Sequence, residues 1–177
     1  MRKIAALLLI LIFASGAFAA DTDTIIQSVS DFLFENGIGF SFFETQNVFK
    51  FQRKTNAKLG EIDYAIEVND NSYTVYAGSW SSIRADAGNP KTMSAMSEFI
   101  TRVNYGLTNG NFNMDYDDGE ILYKVFVNCQ DKLPSKKVIR QSLDVPAQMF
   151  KKYSPGMLSV MRSGENPKTA LEKCEAD

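Results

Sequence analysis

Histidine is absent from the 177 residues of this chain. It is the commonest general base and metal ligand in proteins, and the side chain that most often titrates near neutral pH. Its absence excludes Ser-His-Asp and Cys-His nucleophiles. Catalysis by paired carboxylates or by a lysine stays open, but no spacing marks out such a pair. We therefore predict that the protein is not an enzyme and has no catalytic, cofactor-binding or metal-binding residue.

Long hydrophobic runs are also scarce, and the one that stands out lies at the N-terminus. Arg2 and Lys3 precede an apolar run over residues 4–14, and small residues of the kind that signal peptidase accepts end at Ala19. The run is too short to cross a bilayer comfortably, which makes a retained anchor the weaker alternative. The pattern predicts a signal peptide over residues 1–19, cleaved near Ala19, and a periplasmic or secreted protein.

Only two cysteines are present, Cys129 and Cys174. Both follow the signal peptide, and exported proteins fold in an oxidising compartment where disulfides persist. One bridge is therefore possible, and it would pin the C-terminal tail to the strand that ends near Cys129. Two separate thiols are the alternative, because a sequence does not give the distance between two Cα atoms.

Charge of one sign does not dominate the composition. Nineteen Lys and Arg residues oppose 21 Asp and Glu residues, which gives a net charge of −2. A slightly acidic chain without an extended basic patch is a poor candidate for binding nucleic acid. The basic residues between positions 132 and 152 are more typical of the solvated face of a helix. We expect no nucleic-acid partner and no stable membrane anchor.

The hydrophobic periodicity changes along the chain from helical to alternating and back. Helical spacing predicts three main helices, over residues 21–35, 90–107 and 135–161, and a short final helix after Asn166. Pro146 should break or kink the third main helix. Alternation predicts strands over residues 40–45, 48–54, 61–68, 73–79, 111–116 and 120–128. This order predicts a single α+β domain over residues 20–177, with about three helices packed on an antiparallel sheet.

Acidic residues surround Gly119, at positions 115, 117, 118 and 120. An EF-hand loop with Gly119 at its sixth position would place Met114 and Tyr116 at its first and third ligand positions, where oxygen ligands are required. Asp-Gly is instead typical of a tight turn between two strands. The sequence therefore predicts a hairpin here, not a calcium site.

Three motifs follow one another in the second half of the chain. They are FITRVN at residues 99–104, GNFNMD at 110–115 and DGEILYK at 118–124; YSP at 153–155 and NPKTAL at 166–171 come later. Together they resemble the YbjN domain family. The resemblance implies a fold similar to type III secretion chaperones, in which three helices pack on an antiparallel sheet. Those chaperones hold extended segments of other proteins.

These observations favour a non-catalytic, exported binding module for a protein or peptide partner. An antiparallel sheet with aromatic side chains can accept a strand or a partner subunit, and a homodimer is possible. The candidate binding residues are Trp80, Tyr73, Tyr76, Phe42 and Phe43. Trp80 is the preferred anchor, with a core lid as its alternative. The alternative function is a periplasmic small-molecule or lipid binder with an aromatic-lined cavity between sheet and helices.

Overall fold

The structure is a computed structural model that describes residues 20–55, 59–79 and 82–176. These residues form six strands and four helices. In chain order the elements are α1 (Thr22–Glu35), β1 (Ser41–Phe43), β2 (Val48–Lys54), β3 (Glu61–Asn69), β4 (Ser72–Gly78), α2 (Pro90–Tyr105), β5 (Asn111–Met114), β6 (Ile121–Asn128), α3 (Lys136–Ser163) and α4 (Pro167–Glu175). The predicted α+β class is confirmed: α1, α2 and α3 correspond to the three main helices expected, and α4 corresponds to the short final helix predicted after Asn166.

The six strands form one antiparallel sheet in the order β1-β2-β3-β4-β6-β5. The first four strands lie beside one another in chain order. The chain then forms α2 and β5 before β6 returns to pair with β4. β5 pairs with the other side of β6 and so lies at the end of the sheet, with β1 at the opposite end.

Alternation along the strands gives the sheet one buried face and one open face. In β3 the side chains of Ile62, Tyr64, Ile66 and Val68 are buried, whereas the residues between them are partly exposed. Successive side chains of a strand point to opposite faces, so the buried face continues across the paired strands, although Thr74 of β4 is also buried on the opposite face. α1, α2 and α3 contact the sheet on its buried face, and α4 packs on α2 and α3. The opposite face is called the open face below.

Hydrogen bonds from tyrosines of the sheet fix α3 across its buried face. The hydroxyl of Tyr64 donates to the carbonyl oxygen of Leu143 at 2.9 Å, and the hydroxyls of Tyr73 and Ser142 lie 3.1 Å apart. Because all four residues are buried, each hydroxyl needs a partner to offset the water that it loses. Burial also raises the pKa of Tyr64 to about 12, partly offset by the nearby Arg53 guanidinium.

Of the predicted break or kink at Pro146, the break does not occur. α3 continues over 28 residues with both Pro146 and Pro155 inside it. Asp144, two residues before Pro146, forms an ion pair with Arg53 of β2 at 3.0 Å. Pro146 itself is buried, so packing against the core offsets the backbone hydrogen bond that a proline removes.

No disulfide joins Cys129 and Cys174, although both are buried. Cys129 follows β6, and its backbone N–H donates to the carbonyl oxygen of Asn71 at the β3–β4 turn. Cys174 lies in α4, where its sulfur is next to Gly156 of α3. The two thiols therefore belong to different neighbourhoods, which is why the possible bridge is not formed. Burial raises the pKa of the Cys129 thiol above its usual value.

The acidic residues around Gly119 form the expected turn between β5 and β6. The backbone N–H of Gly119 donates to the carbonyl oxygen of Asp115 at 2.9 Å, and Gly119 has a φ of 76°. Among the described residues no cluster of acidic or cysteine side chains has the arrangement of a metal site. The same residues include no helix that is long and apolar enough to span a membrane. The predicted signal peptide lies outside the described residues.

Candidate peptide-binding edge of the sheet

β6 is twice as long as the strand that covers its outer side. β5 pairs with β6 from Met114↔Ile121 to Asn111↔Lys124, and it ends there. Gly110 turns the chain away with a φ of 79°, and a Cβ at this position would lie 2.6 Å from the carbonyl oxygen of Lys124. The second half of β6, residues 125–128, therefore has no strand beside it on this outer side in the described part of the chain. We call this segment the free β6 edge.

The register shows which backbone groups point out of the free β6 edge. The N–H of Cys129 donates to Asn71 at 2.7 Å, and the N–H of Asp115 donates to the carbonyl oxygen of Glu120 at 2.9 Å. In an antiparallel ladder the residues of a strand alternate between its two neighbours. Odd residues of β6 therefore bond to β4 and even residues face β5. The N–H and C=O groups of Phe126 and Asn128 point outward, where β5 no longer runs.

A cleft of about 250 Å³ lies along the free β6 edge. Its other wall is the first part of α3, where Val138 and Gln141 face the strand, and Asn109 closes one end. The Tyr123 hydroxyl donates to the Asn109 carbonyl oxygen and so fixes that end. Burial raises the pKa of Tyr123 to about 12.

Apolar side chains flank the free β6 edge on both faces of the sheet. Phe126 is 61 % exposed on the open face, and Val138 is 37 % exposed on the side of the helices. A strand added at this edge would alternate its own side chains between these two faces. The edge thus combines unpaired backbone groups, which supply affinity, with an apolar contact on each side, which supplies selectivity.

The outer edge of β5 is closed by a side chain. The Asn104 amide, at the end of α2, donates to the carbonyl oxygen of Phe112 at 2.8 Å and accepts from its N–H at 2.9 Å. Asn111 and Asn113 pair with even residues of β6, so the backbone groups of Phe112 and of Met114, the last residue of β5, point away from that strand. The Asn104 amide therefore occupies the central position that an incoming strand would need.

At the opposite end of the sheet, the shortness of β1 and the charge on β2 disfavour pairing with another chain. β1 has three residues and covers β2 only from Val48 to Lys50. Beyond it, the outward-facing residues of β2 are Gln52 and Lys54, both exposed. Lysine on an edge strand disfavours pairing with another chain because its charge would have to lose water. The free β6 edge lacks these protections, since its outward-facing residues Phe126 and Asn128 carry no charge.

The structure separates the five binding residues predicted from the sequence. Trp80 lies outside the described residues. Tyr73 is fully buried against α3, so it has no surface for a partner, and Phe42 is half-buried against Phe49, with ring centroids 4.5 Å apart. Phe43 and Tyr76 lie on the open face, each beneath a lysine ammonium: Lys50 over Phe43 at 5.2 Å and Lys124 over Tyr76 at 5.4 Å.

Phe43 and Phe126 lie in one row across the open face. The register connects them through Val48, Glu67 and Thr74 on the three strands between. Adjacent strands are about 4.8 Å apart, so the two rings are roughly 19 Å from each other. Tyr73 lies directly opposite Val127 of the free β6 edge but faces α3, whereas Tyr76 lies on the open face, diagonal to Phe126 across the β4–β6 pair.

Sequence reasoning missed Phe126 and Val138. A signal was present, because the predicted strand over residues 120–128 is longer than its predicted partner over residues 111–116. The difference in length implies a segment of β6 without a partner. Phe126 also interrupts the polar side of that strand, where alternation calls for a solvated residue.

Comparison with known proteins supports the fold. No family model matches the chain, and no curated protein matches it. A chain of the crystal structure of the ExsC–ExsE complex is similar, with a TM-score of 0.51 and 11 % identity, over 75 % of this chain and 96 % of that chain. The expected type III secretion chaperone-like fold is thereby confirmed. At this low identity the similarity supports the fold, but it does not assign a role to any residue.

Proposed function

We propose that this protein is an exported, non-catalytic member of the YbjN-like group that binds an extended segment of another protein. The free β6 edge is the binding site, and the segment adds to the sheet as a seventh strand. The similar structure contains a complex of two proteins, which supports a protein-binding role for this fold. The missing histidine supports the absence of catalysis.

One observation carries this proposal. The outward N–H and C=O groups of Phe126 and Asn128 lack a strand partner within the described ranges, whereas the comparable groups of Phe112 are bonded to Asn104. Proteins usually protect sheet edges, because an open edge pairs with other chains. An edge left open beside two apolar side chains is the arrangement expected where strand addition is the function.

Selection of a random-peptide phage library on the mature protein, residues 20–177, tests the proposal. Selected peptides should bind Phe126→Ala with lower affinity than the wild type, because the variant lacks the aromatic ring but keeps the backbone N–H. They should fail to bind Phe126→Pro, because proline removes the outward donor without removing a bond to β4. Equal binding to the wild type and to Phe126→Pro would contradict strand addition at this edge.

Gln52→Pro is the matched control for that experiment. Gln52 lies on β2 beyond the end of β1, and its N–H also points out of the sheet. The same backbone donor is thus removed at the opposite end. We expect selected peptides to bind this variant as they bind the wild type. Native mass measured in the same samples tests whether the protein is a homodimer.

Export is the second part of the proposal and rests on the N-terminal sequence pattern. Mass spectrometry of the protein recovered from the periplasm or the culture medium should show a new N-terminus near Ala20. Replacing Ala19 with a large residue should leave the precursor uncleaved. An intact Met1 on correctly localised protein would contradict a cleavable signal.

A further inference from the structure

A furrow of about 690 Å³ lies between α3 and α4, away from the strands. Successive turns of α3 form the first wall, and three residues of α4, Ala170, Lys173 and Cys174, form the second. The lining residues used below are Lys151, Lys152, Gly156, Ala170, Lys173 and Cys174. The volume falls within the range of sites for small molecules, about 300–1,000 Å³.

Small residues form the floor of this furrow. At Gly156 the helices come so close that a Cβ would lie 2.8 Å from the sulfur of Cys174 and 2.7 Å from the ring of Phe99. Ala170 is buried beside them, and Cys174 is 8 % exposed. Gly156, Ala170 and Cys174 are thus packed into the contact between the two helices, and the floor that they form is apolar.

Positive charge surrounds that floor. Three lysines line the furrow, at positions 151, 152 and 173, against one acid, Glu165. Glu165 is already engaged, since it accepts hydrogen bonds from Lys173 and from the hydroxyl of Ser159, and these bonds lower its pKa. The furrow is therefore locally basic in a chain whose net charge is −2.

We propose that the α3–α4 furrow binds a small amphiphile with one anionic head group and a linear apolar tail. The tail lies on the floor of small residues, and the head group accepts hydrogen bonds from the lysines of the rim. This site differs from the aromatic-lined cavity between sheet and helices that the sequence suggested. It is also independent of the free β6 edge, since the two share no residue.

Decanoate is the probe for this furrow. Calorimetric titration of residues 20–177 should show one binding event for decanoate and much weaker heats for decanol, which has the tail without the charge, and for acetate, which has the charge without the tail. Bound decanoate should also slow alkylation of Cys174 by iodoacetamide, read by mass spectrometry of the modified peptide. Cys129 is 1 % exposed and serves as the internal control.

A matched pair of surface variants locates the binding. Lys151→Glu should weaken decanoate about tenfold, because the charge at the rim is reversed. Lys137→Glu, on the same helix but outside the furrow, should leave the affinity unchanged. Decanol that binds as tightly as decanoate, unaltered alkylation of Cys174, or equal effects of the two variants would overturn the proposal. So would a polyglutamate peptide that binds more tightly than decanoate, because the furrow would then be a protein-docking site.

Discussion

The side-chain amide of Asn104 forms two hydrogen bonds with the backbone of Phe112, at 2.8 and 2.9 Å. An amide with one donor and one acceptor side by side reproduces the face of a neighbouring strand. It both attaches the end of α2 to the sheet and closes the outer edge of β5. The free β6 edge begins where this protection stops, so the contrast between the two segments underlies the proposed function.

Asn104→Ala should lower the free energy of unfolding by about 1–3 kcal/mol, because the half-buried backbone groups of Phe112 lose both partners. Asn104→Asp keeps an acceptor for the Phe112 N–H but brings a carboxylate next to the carbonyl oxygen, so it should also destabilise at neutral pH. Urea unfolding followed by circular dichroism measures both. Recovery of stability by Asn104→Asp as the pH falls below about 4, where the carboxyl protonates and can donate, would support the two-bond geometry.

That geometry would be contradicted if Asn104→Ala and Asn104→Asp both lowered the free energy of unfolding by an amount that did not change with pH. The matched control is Asn113→Ala, because Asn113 is exposed on the same strand and its amide oxygen accepts only from Asn111. We expect it to change stability by less than about 0.5 kcal/mol, as is usual for surface substitutions.

Alkaline pH should destabilise the protein through Tyr64. Its pKa is raised by burial to about 12 in the folded state, against about 10 in an unfolded chain. The folded state then keeps a proton that the unfolded state releases, so the stabilisation is complete below pH 10 and is lost as the pH rises toward 12. Unfolding monitored between pH 9 and about 12 should show this decline.

Tyr64→Phe provides the comparison for the pH dependence. The variant keeps the ring that stacks on Phe51, with centroids 5.1 Å apart, and loses the hydroxyl bond to Leu143. It should be less stable at pH 7 by about 1 kcal/mol. Its stability should also fall less steeply above pH 10, and parallel pH profiles for the two proteins would contradict the assignment to Tyr64.

Gly119→Ala should be among the most damaging single substitutions. Gly119 has a φ of 76°, and a Cβ would overlap the backbone carbonyl of Ala85. Gly37→Ala is the control, because Gly37 has a similar φ of 65° but no atom within 4 Å of the added carbon. Thermal melting should show a loss of about 1 kcal/mol for Gly37→Ala, from backbone strain alone, and a clearly larger loss for Gly119→Ala. Equal losses would mean that the Ala85 contact is unimportant.

Most of the fold could be predicted from periodicity, because the sheet has a buried face and the helices have apolar stripes. β2 matches its predicted bounds, and α1 begins one residue later than predicted because Asp21 acts as its cap. The break considered at Pro146 was wrong, because the packing of α3 against the sheet outweighs the tendency of proline to interrupt a helix. β5 begins at Asn111 as predicted, but it ends at Met114, two residues before its predicted end, because the turn to β6 begins at Asp115.

The site was harder to predict than the fold. Tyr73 and Phe42 were predicted as binding residues because they are aromatic residues of predicted strands. The face of the sheet that a residue occupies depends on strand register, and Tyr73 faces the helices. The free β6 edge is a property of pairing between strands of unequal length. A sequence gives the strands, whereas an absent neighbour becomes visible only when the sheet is assembled.

Backbone amide hydrogen exchange of residues 20–177, resolved by NMR, is the most direct test of the free β6 edge. In the unbound protein the amides of Val125 and Val127, which bond to β4, should exchange slowly, and those of Phe126 and Asn128 should exchange fast. A peptide selected from the random library should slow Phe126 and Asn128 without changing their neighbours. Amides of Phe126 and Asn128 that are already protected in the unbound protein, or peptide protection confined to another strand, would contradict the account.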